Sequence, residues 1–259
     1  SSQDLEAFRK EAQLAATLSH PNIATIYEFQ VENNMAYMVM EFVPDSLDAK
    51  INSGAAIKTD EKVKIIRDIC SAIESAHDSG IVHRDIKASN ILIDDSGSVK
   101  IVDFGIARDM ETTRTMGMVG TFSYMSPEQW RGESVDQTTD IYSLGVLTYQ
   151  LFCGHLPFEG ALPELMRKHL NEPPPEIPSE LPIPDDVVLT IEKSLSKNPA
   201  NRFQTMSDMA DALVGTYQET TTPKVTNNER QTTTRPTGLS RLVTGARWAL
   251  FLPITASAA

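Results

Sequence analysis

Apolar residues near the start recur at helical spacing: Leu5, Phe8, Ala12, Ala15 and Ala16, with acids early, predict a helix over 4–18. His20-Pro21-Asn22 stops it, because the residue before a proline is pushed out of helical backbone. Two strand-like runs follow, 23–32 and 35–43, joined at Asn33-Asn34 as a hairpin. Pro44-Asp45-Ser46 then turns the chain into a short helix. A long amphipathic helix is predicted over 60–79, with Val63, Ile66, Ile69, Cys70, Ile73 and His77 on one stripe. Short apolar runs at 81–82, 91–93 and 99–102 read as brief strands, and a Thr-, Met- and Gly-rich loop covers about 107–125. From Thr138 to Phe152 the sequence is apolar nearly all round, which predicts a buried helix. Further helical patches lie at 163–171, 185–196 and 204–217, the first two joined by a proline-rich connection. Residues 218–240 carry almost no large apolar side chains and are expected to be a disordered linker. Residues 241–259 end in an apolar run.

Charge narrows the function. Lys and Arg number 23 against 35 Asp and Glu, a formal net charge of −12. A chain so acidic, with no basic stripe interleaved with aromatics, is a poor partner for nucleic-acid phosphates, and no nucleic acid is expected. From Gln218 onward the balance reverses, with Lys224, Arg230, Arg235, Arg241 and Arg247 against Glu219 and Glu229. Cys70 and Cys153 stand in apolar stretches at no metal-ligand spacing, as two reduced thiols would. That fits a reducing, cytosolic compartment.

The chemistry is concentrated in a few ordered motifs. His83-Arg84-Asp85-Ile86-Lys87-Ala88-Ser89-Asn90 has the pattern HRDxxxxN, and Asp103-Phe104-Gly105 follows across two short strands. Gly120-Thr121, Ser126-Pro127-Glu128, Asp140 to Gly145 and Asn198 to Phe203 come after, in that order. Together they resemble the eukaryotic-type (Hanks-type) serine/threonine protein kinases, and among these the bacterial transmembrane kinases. The resemblance spans about residues 4–217. It implies an α+β, bilobal fold over 1–217, with an N-lobe remnant at 1–43 and a mainly helical C-lobe at 44–217.

The resemblance also implies roles, and the residue types suit them. Asp85 offers a carboxylate to orient a substrate hydroxyl and take its proton. Lys87, two residues on, can reach a transferring phosphate as a point charge. Asn90 and Asp103 are hard oxygen ligands for Mg²⁺, which binds through few protein groups plus phosphates. Backbone groups of Glu41 and Val43 would read the adenine of ATP, with Leu92 beneath the ring. Glu11 stands where the family's helix glutamate pairs the ATP-binding lysine. Lys87 and Thr121 agree with the serine/threonine branch. Arg84 implies control by phosphorylation: a phosphothreonine at Thr112, Thr113 or Thr115 could pair with it. Glu128 and Arg202 resemble a buried structural ion pair, and Asp140 resembles a carboxylate bracing the catalytic loop.

One departure stands against this pattern. Before Glu11 the family shows a glycine-rich loop and a lysine, and neither occurs in the ten residues here; Lys10 lies beside Glu11 on one helix and cannot face it. The expectation is an N-terminally truncated kinase whose chain, as written, turns over weakly or not at all. The rival expectation is a pseudokinase or interaction module that keeps the fold without turnover; a small-molecule phosphotransferase is a third. Expected partners are ATP, proteins bearing Ser or Thr, and a second copy for trans-autophosphorylation. Arg241 and Arg247 before an apolar run imply the start of a membrane anchor, tethering a cytoplasmic domain to the inner face of the plasma membrane.

Overall fold

The computed structural model describes residues 16–32, 35–94, 96–104 and 122–213. The expected opening helix up to residue 15, the linker, the tail and Glu11, Thr112, Thr113, Thr115 and Thr121 lie outside these residues, while residues 16–18, expected to end that helix, form a turn and irregular backbone instead.

Two small antiparallel sheets come first. Strands β1 (Ile26–Glu32) and β2 (Met35–Met40) form the predicted hairpin, with Glu32 opposite Met35 and Ile26 opposite Met40. The second sheet has the order β3 (Asp45–Ser46), β4 (Ile91–Ile93), β5 (Val99–Ile101). The two-residue β3 gives no periodic signal and was not expected. The hairpin is tied to the second sheet through the segment before it. Ile101 N–H donates to the Asn22 carbonyl at 2.8 Å and Ala24 N–H to the Ile101 carbonyl at 3.0 Å. The Asn22 side-chain amide reaches the Val99 carbonyl at 3.0 Å.

Helices make up the rest: α1 (Leu47–Asn52), α2 (Thr59–Asp78), α3 (Pro127–Arg131), α4 (Gln137–Cys153), α5 (Leu162–Asn171), α6 (Asp185–Ser194) and α7 (Met206–Asp211). The stripe on α2 is buried as its spacing predicts, with Val63, Ile66, Ile69 and Ile73 fully covered. Residues 81–82, expected to be a strand, are not one. Ile81 N–H instead turns back to the Ala76 carbonyl at 2.9 Å, as part of the helix ending, and among the described residues it joins no strand ladder. Cys70 is buried and Cys153 half-buried, both as free thiols, and burial pushes each thiol upward from its ordinary range.

Helix α4 is the axis of the core. Asp136 caps its N-terminus through Thr138 N–H at 2.8 Å, and Gly154, with φ 82°, ends it in a left-handed turn that a side chain would strain. Thr138 through Phe152 are buried without a break, because α2 lies on one side and α6 on another. Helix α7 docks on α2 with help from Glu74, whose Oε2 accepts from Met206 N–H at 2.8 Å and Ser207 N–H at 3.3 Å. Within this packing His169 on α5 is wholly buried, its Nδ1 3.0 Å from the Tyr142 hydroxyl. Burial, and then the Lys197 ammonium, push it down to about 3.

Two outcomes follow from this packing. A Cβ on Gly145 would stand 2.7 Å from Ser194 Cβ, which is fixed to the α6 backbone and yields only if α6 moves, and 3.3 Å from Leu195 Cδ2. Gly145→Ala should cost about 1–3 kcal/mol of overpacking, offset by less than about 1 kcal/mol of helix propensity, in denaturant unfolding. His169 binds its proton more weakly folded than unfolded, so stability is lost as pH falls from about 6.5 toward 3. Unfolding free energy followed from pH 6 to 4.5 should fall less steeply in His169→Asn, by up to about 1.4 kcal/mol per pH unit.

Candidate active site

A short loop between α2 and β4 carries most of the polar groups predicted to be functional, and a single carboxylate holds it. Asp140, in the first turn of α4, is wholly buried. Its Oδ2 accepts from His83 N–H at 2.8 Å and its Oδ1 from Arg84 N–H at 2.8 Å. His77 Nε2, from the end of α2, lies 2.8 Å from Oδ2. Backbone amides that have left one helix are thus satisfied by the opening residue of another, as buried polar groups require.

His83 carries this order onward. Its Nδ1 accepts from Asp85 N–H at 3.2 Å, so Nε2 holds the proton and donates to the Val102 carbonyl at 3.1 Å. Its ring meets Phe104 with centroids 4.7 Å apart. Val102 N–H in turn donates to the Asn90 carbonyl at 3.0 Å. The residue before Asp103 and the residue after it are therefore both fastened to the loop that bears Asp85 and Asn90.

Within that loop Asp85, Lys87 and Asn90 form one group. Asp85 Oδ2 accepts from Lys87 Nζ at 2.9 Å and from Asn90 Nδ2 at 3.0 Å. Asn90 Nδ2 also reaches the Asp85 carbonyl at 2.9 Å. Spending its amide nitrogen on Asp85 leaves Asn90 Oδ1 as the atom able to meet a cation. Asp103 is exposed, and with Arg84 it is one of two non-glycine residues with positive φ among those described, at 57° and 65°. Left-handed backbone costs an L-residue about 1–2 kcal/mol, and here it falls on the two residues flanking the loop's polar centre. Among the described residues no three His, Cys, Asp or Glu side chains gather to hold a metal unaided. The oxygens of Asn90 and Asp103 nevertheless fit a hard ion such as Mg²⁺, which takes most of its ligands from phosphate and water.

The predicted nucleotide edge begins where β2 ends. A small apolar cluster of Ala24, Met38, Met40 and Val102, with Leu92 packed against it, is separate from the main core. Val43 is buried and Glu41 half-buried at the end of β2. The Glu41 side chain pairs with Lys100 at 3.0 Å, a partnership that no sequence spacing announces.

Arg202 and Glu128 pair as a bidentate fork in the interior, at 2.7 and 2.9 Å. The remaining guanidinium hydrogens go to the carbonyls of Ser196, Thr138 and Lys197. Burial acts to raise the Glu128 carboxyl, but the hydrogen bonds and charge of Arg202, with Thr139, outweigh it and hold the group below the usual range. Gln129, beside Glu128, was missed by sequence reasoning. Its Oε1 accepts from Ser126 N–H at 2.9 Å and its Nε2 donates to the Arg84 carbonyl at 3.0 Å. The Ser126–Gln129 capping box was legible as S-x-x-Q, whereas the reach to Arg84 crosses 45 residues and was not.

Arg202→Met, which strands the Glu128 charge, should cost about 3–5 kcal/mol in chemical unfolding. Adding Glu128→Leu should recover part of that loss, because the second substitution removes the unpaired group.

Known proteins bear on the same region. The protein kinase domain family matches residues 1–214. The chain is 38% identical over 231 residues to serine/threonine-protein kinase PknB of Mycobacterium leprae, covering 84% of this chain and 37% of the relative. It is 39% identical over 211 residues to serine/threonine-protein kinase PrkC of Bacillus subtilis, covering 79% and 33%. With serine/threonine-protein kinase PknA of Mycobacterium tuberculosis it shares 39% over 220 residues, covering 81% and 50%. The chain thus spans half or less of the length of these curated relatives, and matches them over most of its own. An α+β chain whose HRD, Asn90 and DFG segments are laced together, and which matches the family from residue 1 to 214, belongs to the protein kinase family.

Proposed function

We propose that this chain is the catalytic domain of a serine/threonine protein kinase, which moves the γ-phosphoryl group of ATP to Ser or Thr hydroxyls of proteins. The observation that carries the reading is the group Asp85–Lys87–Asn90, in which one carboxylate oxygen is held by both an ammonium and an amide. Asp85 orients the incoming hydroxyl and receives its proton at the carboxylate as the oxygen attacks. Lys87, 8% exposed, stands beside Asp85 as a fixed positive charge for the phosphoryl oxygens in flight. Asn90 and Asp103 supply oxygens to Mg²⁺, which when bound neutralises the phosphate charge. The Glu41 carbonyl and Val43 N–H read the adenine edge, while Leu92 packs beneath the ring. Phosphoryl transfer asks little covalent work of a protein, so positioning by Asp140 and His83 is most of the catalysis. An inactive fragment or non-catalytic module is the weaker reading, since such a module has no need of this group.

Regulation and placement belong to the same reading. Arg84 Nε is buried and meets no acceptor among the described residues, as suits a guanidinium awaiting phosphate. Phosphorylation of Thr112, Thr113 or Thr115 by a second copy would supply one. Residues 218–240 act as a tether and 241–259 as part of a membrane anchor, holding the domain at the cytoplasmic face.

Incubated with labelled Mg-ATP and a generic protein substrate, the chain should yield phosphoserine or phosphothreonine. Asp85→Asn should lower the rate by about 10²–10⁴. Equal labelling by wild type and Asp85→Asn, or label on tyrosine alone, would defeat the proposal.

A further inference from the structure

The β1–β2 ladder shifts register between Ile26 and Glu28, and just beyond that shift its end departs from regular pairing at one further bond. Thr25 and Glu41 are opposed in the register that pairs Ile26 with Met40. Residues opposed in a hydrogen-bonded antiparallel pair exchange two bonds, each N–H donating to the other's carbonyl. One of the two is present: Glu41 N–H donates to the Thr25 carbonyl at 2.8 Å. The other is replaced. Thr25 N–H donates to Oε2 of the Glu41 side chain, at 3.1 Å. The carboxylate thus takes the donor that the Glu41 carbonyl would otherwise receive, and among the described residues no hydrogen bond falls on that carbonyl.

A carboxylate on a flexible stem does this reliably only if it is anchored. Lys100 anchors it, its Nζ lying 3.0 Å from both Glu41 oxygens. Lys100 stands opposite Leu92 in the β4–β5 register, so the two side chains share the face of that sheet on which Leu92 meets the apolar cluster. The pair is half-buried, which leaves it less screened than a surface ion pair.

We propose that the Glu41 carboxylate, fixed by Lys100, ends the ladder one bond early and so keeps the Glu41 carbonyl turned to the cleft as an acceptor for the 6-amino group of adenine. The two side chains are positioning residues that set base specificity without touching the base. This rests on the nucleotide-binding reading above. Without the carboxylate, Thr25 N–H returns to the Glu41 carbonyl and aims it across the hairpin. With glutamine, Oε1 can still accept from Thr25 N–H, though the charge that Lys100 holds is gone.

The test compares Mg-ATP with Mg-purine riboside triphosphate, which lacks the 6-amino group, by calorimetric or displacement titration of the full chain. Wild type should prefer ATP about five- to tenfold, the worth of one hydrogen bond. Glu41→Ala should bring the ratio close to one by weakening ATP more than the analogue. Lys100→Met should lower it part of the way, and Glu41→Gln should recover most of it. A folded Glu41→Ala or Lys100→Met protein that keeps the full preference overturns the inference, as does equal weakening of both ligands. Failure of wild type to bind either triphosphate would instead sink the nucleotide-binding reading beneath it.

Discussion

The buried Asp140 carboxylate is the constraint on which the rest of the site depends. A buried carboxyl is costly unless donors surround it, and the donors it gathers are the backbone of the loop at His83 and Arg84 and the imidazole at the end of α2. Its own position is set by α4, whose neighbours cover every face. The loop bearing Asp85 and Asn90 is therefore hung from the hydrophobic core by this side chain, and it needs little regular structure of its own. Only a three-residue helical turn, Ala88–Asn90, interrupts it before β4 begins.

From there the order spreads in two directions. Through His83 it reaches Val102 and Phe104, and with them the backbone on either side of Asp103. Through Arg84 it reaches Gln129, whose neighbour Glu128 is locked to Arg202. The two left-handed residues, Arg84 and Asp103, stand where these branches leave the loop. Such backbone persists when surrounding bonds over-determine it, and several do here.

Much of this was legible from residue order. The helical stripes of α2 and α4 follow from burial on one face and on all faces, which periodicity reports directly. The hairpin, with two residues between its strands, followed from alternation and Asn33-Asn34. The HRD and DFG segments announced their own chemistry. What stayed hidden was contact between distant residues: β3 is too short for a period, and the Lys100–Glu41 and Gln129–Arg84 partnerships join segments 59 and 45 positions apart. The strand expected at 81–82 failed because apolar character marks burial, and burial there comes from the end of a helix. Glu11 and the threonines at 112, 113, 115 and 121 lie outside the described residues, so their roles rest on resemblance alone.

His83 has a last implication. One imidazole, with a single proton, is bonded at once to the amide of the residue that would deprotonate the acceptor and to the carbonyl preceding the residue that would grip the nucleotide's metal. The two tools cannot drift apart while that ring stays in place. Phe104, packed against that ring, backs it from the side of Asp103, so the same contact steadies the backbone on both sides of Asp103.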